Sequence, residues 1–335
     1  MFFKDKKILI IGGTGTIGKS LVNHILKEEP NVIRIFSRDE YKQFILQNEL
    51  EQESEKMRFL IGDVRNYDRV VSAMADIDYV FNVAAMKHVP SCEYNPYEAV
   101  LTNITGTYNV IKAAIAQGIK KVVFTSSDKA ISPTNAYGAT KLMAERLITS
   151  AEYSKGNSKT VFSSVRFGNV IGSRGSVVPL FMKQIKYQKK VTSTDLTMSR
   201  FMMTLTQATE LTIKALKESK GGETFVLKMP VIKLADLVSV VLEETCKKYQ
   251  INPEHIDIQE IGLRPGEKMY EELMTLDESR IAFELPEMFV IPPVFGQTKS
   301  YSHAMKATIG TYSSENQEAI SKETLRQLLL SERLF

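Results

Sequence analysis

Residues 7–18 read KILIIGGTGTIG. Lys7 to Ile11 is an apolar, β-branched run that ends in glycines. Thr16 to Glu28 then carries Ile17, Leu21, Ile25 and Leu26 at helical spacing. Between them, Gly12, Gly15 and Gly18 form G-x-x-G-x-x-G. Glycine permits the tight turn and lets the backbone approach a pyrophosphate, and the helix N-terminus offers free N–H groups with partial positive charge. A glycine pattern alone is weak evidence, but this one lies between a strand and a helix, as the mechanism requires. Gly12, Thr14, Gly15, Thr16, Ile17 and Gly18 are therefore the expected dinucleotide loop, with a structural turn as the plainer alternative.

The same rhythm continues outward. Val32–Phe36, Arg58–Ile61, Tyr79–Val83, Lys121–Thr125 and Val161–Phe167 read as further strands, and the segments between are helical, clearest from Pro96 to Gln117. Continuous apolar strands separated by helices predict a parallel sheet covered on both faces, a doubly wound, Rossmann-type α/β fold. After about Gly175 the pattern changes. Helices are expected at Thr206–Leu216 and Lys233–Cys246, flanking a strand at Glu223–Leu227, and a last helix at Lys322–Leu330. The expected division is a dinucleotide-binding domain over 1–175, with later segments returning to it, and a smaller α/β substrate-binding portion over 176–335.

Composition bounds the function. The 335 residues suggest about two domains at roughly 150 residues each, or one large domain with an appendage. Hydrophobic residues make up 43% and charged residues 24%, ordinary for a globular chain. Forty-three Lys+Arg against thirty-nine Asp+Glu is too small an excess to argue for nucleic acid. Cys92 and Cys246 cannot build a disulfide framework. His24, His88, His255 and His303 lack metal-ligand spacing, so no metal is expected. No segment approaches the roughly 18 apolar residues of a membrane helix, so a soluble, cytoplasmic protein is expected.

The second strand runs into Ser37-Arg38, where an NAD site usually carries a carboxylate for the ribose 2′-hydroxyl. A hydroxyl and a guanidinium suit a 2′-phosphate instead, and Lys42 could add charge. This favours NADP, while Asp39 keeps NAD open. Asp63 and Val64, after the third strand, are placed to meet the adenine.

Tyr137 and Lys141 form Tyr-x-x-x-Lys, which shares one face of a helix. The lysine can lower the tyrosine's pKa and grip the nicotinamide ribose, so the tyrosine becomes a base for a hydroxyl proton. Just upstream, Ser127, Asp128 and Lys129 fall at the mouth of the fifth strand. Simple alcohol oxidation needs the hydroxyl but not an adjacent acid and base. The Asp-Lys pair therefore suggests a second reaction, elimination of water; the plainer reading is a solvated charged turn.

Together GGTGTIG, SRDE, GDVRN, NVAAMKHVPSCE, SSDKA, YGATK, RFGNVIGSRGSVVPLF and RPGEKMYEEL resemble the extended short-chain dehydrogenase/reductase family. More narrowly, they look like the soluble UDP-N-acetylglucosamine 4,6-dehydratases of bacterial surface-sugar biosynthesis, over about residues 5–290. The resemblance implies that Tyr137, helped by Lys141 and Ser127, takes the 4-hydroxyl proton while hydride passes to NADP. Lys129, in neutral form, would then remove the carbon-5 proton, and Asp128, holding a proton, would release the 6-hydroxyl as water. It further implies cofactor contacts from Ala84, Ala85, Lys87 and Phe167. Substrate contacts would come from Lys87, Ser127, Asn169, Ser173, Arg174, Val178, Arg200, Arg264 and Glu267. The implied partner is a UDP-sugar, and the assembly a homo-oligomer, dimer or hexamer. Two departures stand out: Thr16-Ile17-Gly18 replaces the usual Ser-Phe-Gly, and the chain after 290 looks more like the capsule-type relatives than the pseudaminic-acid type.

Inversion at carbon 5 is the favoured outcome. A retaining dehydratase and a dedicated carbon-5 epimerase use compatible residues. A UDP-sugar 4-epimerase would need Tyr137 and Lys141 but not Asp128 and Lys129. A catalytically silent dinucleotide-binding regulator would be expected to lack the Tyr or the Lys.

Overall fold

A computed structural model describes residues 1–173, 175–295 and 300–335. The first half alternates strands and helices: β1 Lys7–Ile11, α1 Thr16–Leu26, β2 Val32–Ser37, α2 Glu40–Glu49, β3 Met57–Ile61, α3 Tyr67–Met74, β4 Tyr79–Asn82, α4 Val89–Tyr94, α5 Pro96–Ala99, α6 Gly106–Ala116, β5 Lys121–Thr125, α7 Ala136–Ser154 and β6 Val161–Arg166. The second half adds β7 Asn169–Val170, α8 Val177–Gln188, β8 Lys190–Ser193, β9 Ser199–Met203, α9 Leu205–Glu218, β10 Thr224–Leu227, β11 Val231–Lys233, α10 Leu234–Tyr249 and β12 Asp257–Glu260. It ends with β13 Glu272–Met274, α11 Leu276–Ile281, β14 Phe283–Glu284, β15 Met288–Ile291, β16 Met305–Lys306, β17 Tyr312–Ser313 and α12 Lys322–Ser331.

The main sheet runs β16-β14-β15-β10-β6-β5-β4-β1-β2-β3. From β3 to β10 the strands are parallel; β15, β14 and β16 add antiparallel pairs at one edge. Both faces of β1 are apolar because both are covered. Ile8 and Ile10 pack in the layer that holds Leu21 and Val22 of α1 and Ala215 and Leu216 of α9. Leu9 and Ile11 pack on the opposite side with Val70 of α3, Val110 of α6 and Ile148 of α7. Side chains alternate along a strand, so a strand buried on both faces reads as one continuous hydrophobic run.

Strand order reverses beside β1, between β2 and β4, and open α/β sheets bind ligands outside the carboxyl ends at such a point. The expected helix Pro96–Gln117 is α5 and α6 joined by a π-helical turn over Val100–Thr105. Such turns often mark functional positions. Here the turn places Asn103 so that its side chain bonds both the N–H and the carbonyl of Met86 and the hydroxyl of Thr140, tying the loop after β4 to α7.

A separate apolar cluster carries α8, α10 and α12, through Phe181, Ile185, Leu237, Val241, Leu325 and Leu329. No helix among the described residues is long and apolar enough to cross a membrane.

Candidate active site

The glycine loop is built to take a ligand against its backbone. Gly12 has φ +85°, and a Cβ there would lie 2.8 Å from the Ala84 nitrogen. A Cβ on Gly18 would lie 2.5 Å from Gly13 Cα, so only glycine lets α1 pack this close to the turn. Gly15 is the N-cap of α1 and has no side chain to cap it. The first-turn N–H groups of such a helix have no intrahelical acceptors, which suits an anion. These features fit a dinucleotide pyrophosphate. Ala84 and Ala85 follow β4 beside this loop, half-buried.

At the end of β2, Ser37 is held by Gln43, whose side-chain nitrogen donates to the Ser37 carbonyl and hydroxyl at 3.0 Å each. Asp39 caps α2, accepting from the Lys42 N–H at 2.9 Å, and it also pairs with the Lys42 ammonium. Arg38 is exposed, with Nη1 3.7 Å from Asp63 Oδ2. Asp63 is gripped by Arg65 at 2.9 and 2.7 Å. Burial alone would raise the Asp63 carboxyl, but the Arg65 bonds outweigh it and hold the group below its ordinary range. Val64 is buried beneath, against Gly106.

The second constellation lies at the mouth of β5. Ser127 caps a short turn, Asp128–Ala130, against which the first turn of α7 packs. The approach is close: a Cβ on Gly138 would stand 2.1 Å from the Lys129 carbonyl. Ser127 Oγ donates to Asp128 Oδ1 at 2.7 Å. Lys129 Nζ lies 3.2 and 3.3 Å from the two Asp128 oxygens. Asp128 is 1% exposed, so this is no solvated turn.

Tyr137 is buried beside this pair and pushed up to about 12: burial raises it, while the hydrogen bond with Ser127 and the charge of Lys129 pull it down. The expectation that Lys141 lowers the tyrosine is not what the geometry shows. Lys141 Nζ donates to the Thr125 carbonyl at 2.6 Å, and Lys129 is the cation acting on Tyr137. Burial lowers Lys141 to about 7 against the opposing pull of Glu145. For Lys129, burial is outweighed by Asp128 and Glu271, and its ammonium is held above the ordinary lysine range.

The C-terminal portion closes over this turn. Thr134 and Asn135 donate to the Gly266 carbonyl at 2.9 and 3.0 Å, and Lys268 Nζ donates to the Ile131 carbonyl at 3.0 Å. Arg264 is exposed, and its N–H donates to Glu267 across the same loop. Arg200 is turned to the backbone, donating to the carbonyls of Ser199, Met269 and Lys268. Asn169 donates to the Phe201 carbonyl at 3.2 Å. Phe167 is buried, and the next residue, Gly168, approaches Asp128: a Cβ there would lie 3.3 Å from Oδ2.

Other expected residues lie on the loop after β4, on the segment before α8 and on α8 itself. Ser173 is half-buried in a turn and accepts from the Ser176 N–H. Lys87 is exposed in the loop after β4. Val178 is 1% exposed, its side chain in the apolar cluster of α8 and α10, so a ligand would meet only its backbone. Arg174 lies outside the described residues.

Two groups were missed by sequence reasoning. Glu271, 4% exposed, reaches Lys129 Nζ at 3.4 Å from the segment before β13. Its only sequence signal is the doubled glutamate at 271–272, one of which must turn inward on an extended strand. Asn82, at the end of β4, is 1% exposed, and neither amide atom has a hydrogen-bond partner among the described residues. Buried polar side chains are normally paired, so this amide is available to a ligand at the switch point.

A family model described as "Polysaccharide biosynthesis protein" matches residues 8–293. The chain belongs to this family. It is 47% identical to an uncharacterized membrane protein of Methanocaldococcus jannaschii, over 98% of this chain and 96% of that one. It is 42% identical to a UDP-N-acetylglucosamine 4,6-dehydratase (inverting) of Campylobacter jejuni, over 87% and 84% of the two chains. It is 39% identical to a UDP-glucose 4-epimerase of Rickettsia bellii, over 98% and 96%. Among solved structures, it matches the X-ray structure of Pen from Bacillus thuringiensis with a TM-score of 0.95 and 67% identity, each chain covered in full. The resemblance expected from the motifs thus holds for this polysaccharide-biosynthesis chain, along with its doubly wound fold.

Proposed function

We propose that the chain is a nucleotide-sugar 4,6-dehydratase that converts UDP-N-acetylglucosamine to a UDP-4-keto-6-deoxy sugar, with inversion at carbon 5. One observation carries the reading: the Asp128–Lys129 pair at the mouth of β5, with Asp128 buried and the Lys129 side chain 25% exposed, beside Ser127 and Tyr137. Alcohol oxidation needs a hydroxyl base; only elimination needs a further acid and base at the same place.

NADP, when bound, supplies reversible hydride acceptance from the sugar. Gly12, Gly15 and Gly18 would hold its pyrophosphate, Ser37 and Arg38 the 2′-phosphate, and Asn82 and Lys141 the nicotinamide half. The choice of NADP over NAD is supported by Asp39, whose carboxylate is engaged in capping α2 and in pairing with Lys42, leaving exposed Arg38 at that edge. Tyr137 in its ionised form, favoured against burial by the Ser127 hydrogen bond and the charge of Lys129, removes the 4-hydroxyl proton, and Ser127 orients the same oxygen. The resulting 4-keto group acidifies carbon 5. Lys129 as the amine takes the carbon-5 proton, and Asp128 as the acid gives a proton to the departing 6-hydroxyl. Arg264, Glu267 and Asn169 border the space where the nucleotide and sugar would lie.

The exposed aromatic residues Tyr94, Tyr97 and Tyr108, with Met143 of α7, support pairing of two copies through the α4–α7 face. A cytoplasmic homo-oligomer acting in bacterial surface-sugar synthesis fits these features. A 4-epimerase is the second reading, favoured by the Rickettsia relative. Proton NMR with UDP-N-acetylglucosamine in D₂O separates the two: a new 6-deoxy methyl signal supports dehydration, and deuterium and couplings at carbon 5 report its stereochemistry. Change at carbon 4 without a methyl signal would sink the dehydratase reading.

A further inference from the structure

Lys129 presents a chemical difficulty. A base at carbon 5 must be an amine, yet Asp128, and Glu271 wherever it is ionised, hold this lysine as an ammonium. Asp128 and Glu271 are 1% and 4% exposed and approach Nζ at 3.2 and 3.4 Å. If all three groups were ionised, the trio would hold a net negative charge, which burial penalises.

We propose that Glu271 is a proton-holding positioning residue of the Asp128–Lys129 pair: its neutral carboxyl lets Lys129 pass its proton to Asp128, creating the amine base and the carboxylic acid in one transfer. The proposal rests on the dehydratase reading and deepens it. The protons balance. The resting cluster holds a Lys129 ammonium, an Asp128 carboxylate and a Glu271 acid. Transfer from Nζ to Asp128 gives an amine and two acids, with no change in net charge. The amine then takes the carbon-5 proton, and Asp128 protonates the oxygen as the carbon–oxygen bond at carbon 6 breaks and water leaves. This restores the ammonium and the carboxylate, and Glu271 keeps its proton throughout.

The surroundings favour the neutral form. Glu271 faces Lys129 and Asp128 from the β5 turn and Arg200 from β9, with Tyr137 beyond Lys129. Burial raises the carboxyl and so does the charge of Asp128; Lys129 and Arg200 oppose them without overturning the direction. The Arg200 guanidinium is committed to three backbone carbonyls. Glu271 is fixed at its backbone, its N–H donating to Ser314 Oγ at 3.0 Å and its carbonyl accepting from the Ser314 N–H at 2.9 Å.

The test is infrared spectroscopy of the NADP-loaded protein with ¹³C-labelled glutamate carboxyls. A protonated-carboxyl stretch that shifts with the label at neutral pH, and disappears in Glu271→Gln, is expected. If no label-sensitive acid band is present in the unmodified protein, or if it survives in Glu271→Gln, the proposal is overturned. The presence or absence of the band in the unmodified protein needs no variant, and retained NADP binding by Glu271→Gln shows that its loss there is not unfolding. Turnover gives a second readout. Glu271→Ala is expected to slow dehydration about 10²-fold through misplacement of Lys129. Glu271→Gln should recover most of that rate and lose the alkaline fall that ionisation of Glu271 imposes. A Gln variant as slow as the Ala variant while still binding NADP would overturn the proposal. If the unmodified protein yields no 6-deoxy product, the dehydratase reading fails, and the infrared band still decides whether Glu271 holds a proton.

Discussion

Lys141 Nζ donates to the Thr125 carbonyl at 2.6 Å and lies 4.3 Å over the Phe124 ring. The catalytic helix α7 is thereby tied to the end of β5 through a buried cation, lowered to about 7 by burial. The unfolded lysine keeps the ordinary value of 10.5, so between these two values the unfolded chain binds more protons. Stability should therefore rise with pH across that window and carry the full cost of the buried charge below it. Lys141→Met removes that cost. It is expected to raise Tm at pH 6 by several degrees and by less at pH 10, while turnover is lost. Calorimetry at the two pH values checks this; an equal gain at both would refute the assignment.

Lys129→Ala should abolish the 6-deoxy product, a loss of about 10²–10⁴-fold or more as for removal of a general base. NADP binding should remain, because the lysine lies in the Asp128 turn and not in the glycine loop. NMR for product and a fluorescence titration for the cofactor give the two readings. Normal turnover would show that another group is the base.

Tyr137→Phe removes the hydroxyl that accepts the 4-hydroxyl proton. Single-turnover absorbance is expected to show no reduced nicotinamide, with Asp128 and Lys129 still in place. Full hydride transfer in this variant would take alcohol oxidation out of the mechanism.

Arg38→Ala should weaken NADP binding about tenfold or more and leave NAD binding nearly unchanged, since a charge-assisted bond to phosphate is worth about 1.5–3 kcal/mol. Equal effects on both cofactors would remove the 2′-phosphate role.

Arg166 joins Glu145 of α7 at 2.8 Å and Glu278 of α11 at 2.8 Å, and its side chain is 1% exposed. Arg166→Met leaves two carboxylates unpaired, one fully buried and one largely so, and should cost about 3–5 kcal/mol of stability. Adding Glu145→Gln should return part of it, as measured by denaturant unfolding. An undiminished midpoint in the single variant would show the triad to be dispensable.

Much of the fold was legible because β1, β4 and β5 are buried and mostly apolar on both faces. A strand so covered appears as an unbroken run, and the helices between repeat at their own period. The π-turn over Val100–Thr105 was not legible, because it shifts the helical register by only about one residue, within the irregularity of the apolar spacing along this segment. The site divided in the same way. Ser127, Asp128, Lys129, Tyr137 and Lys141 are close in sequence and could be recognised together. Glu271 enters 142 positions after Lys129, on a segment whose local pattern does not say which glutamate turns inward.

The sequence by itself determined the strand–glycine–helix loop, the parallel sheet and the Tyr-x-x-x-Lys helix beside an Asp-Lys pair, because each rests on spacing within a few residues. Only the tertiary structure decided the electrostatics. Burial sets Tyr137 and Lys141, and it places a second carboxylate against Lys129. Protonation depends on solvent exclusion and on charges brought together from distant parts of the chain, and neither is written in local spacing.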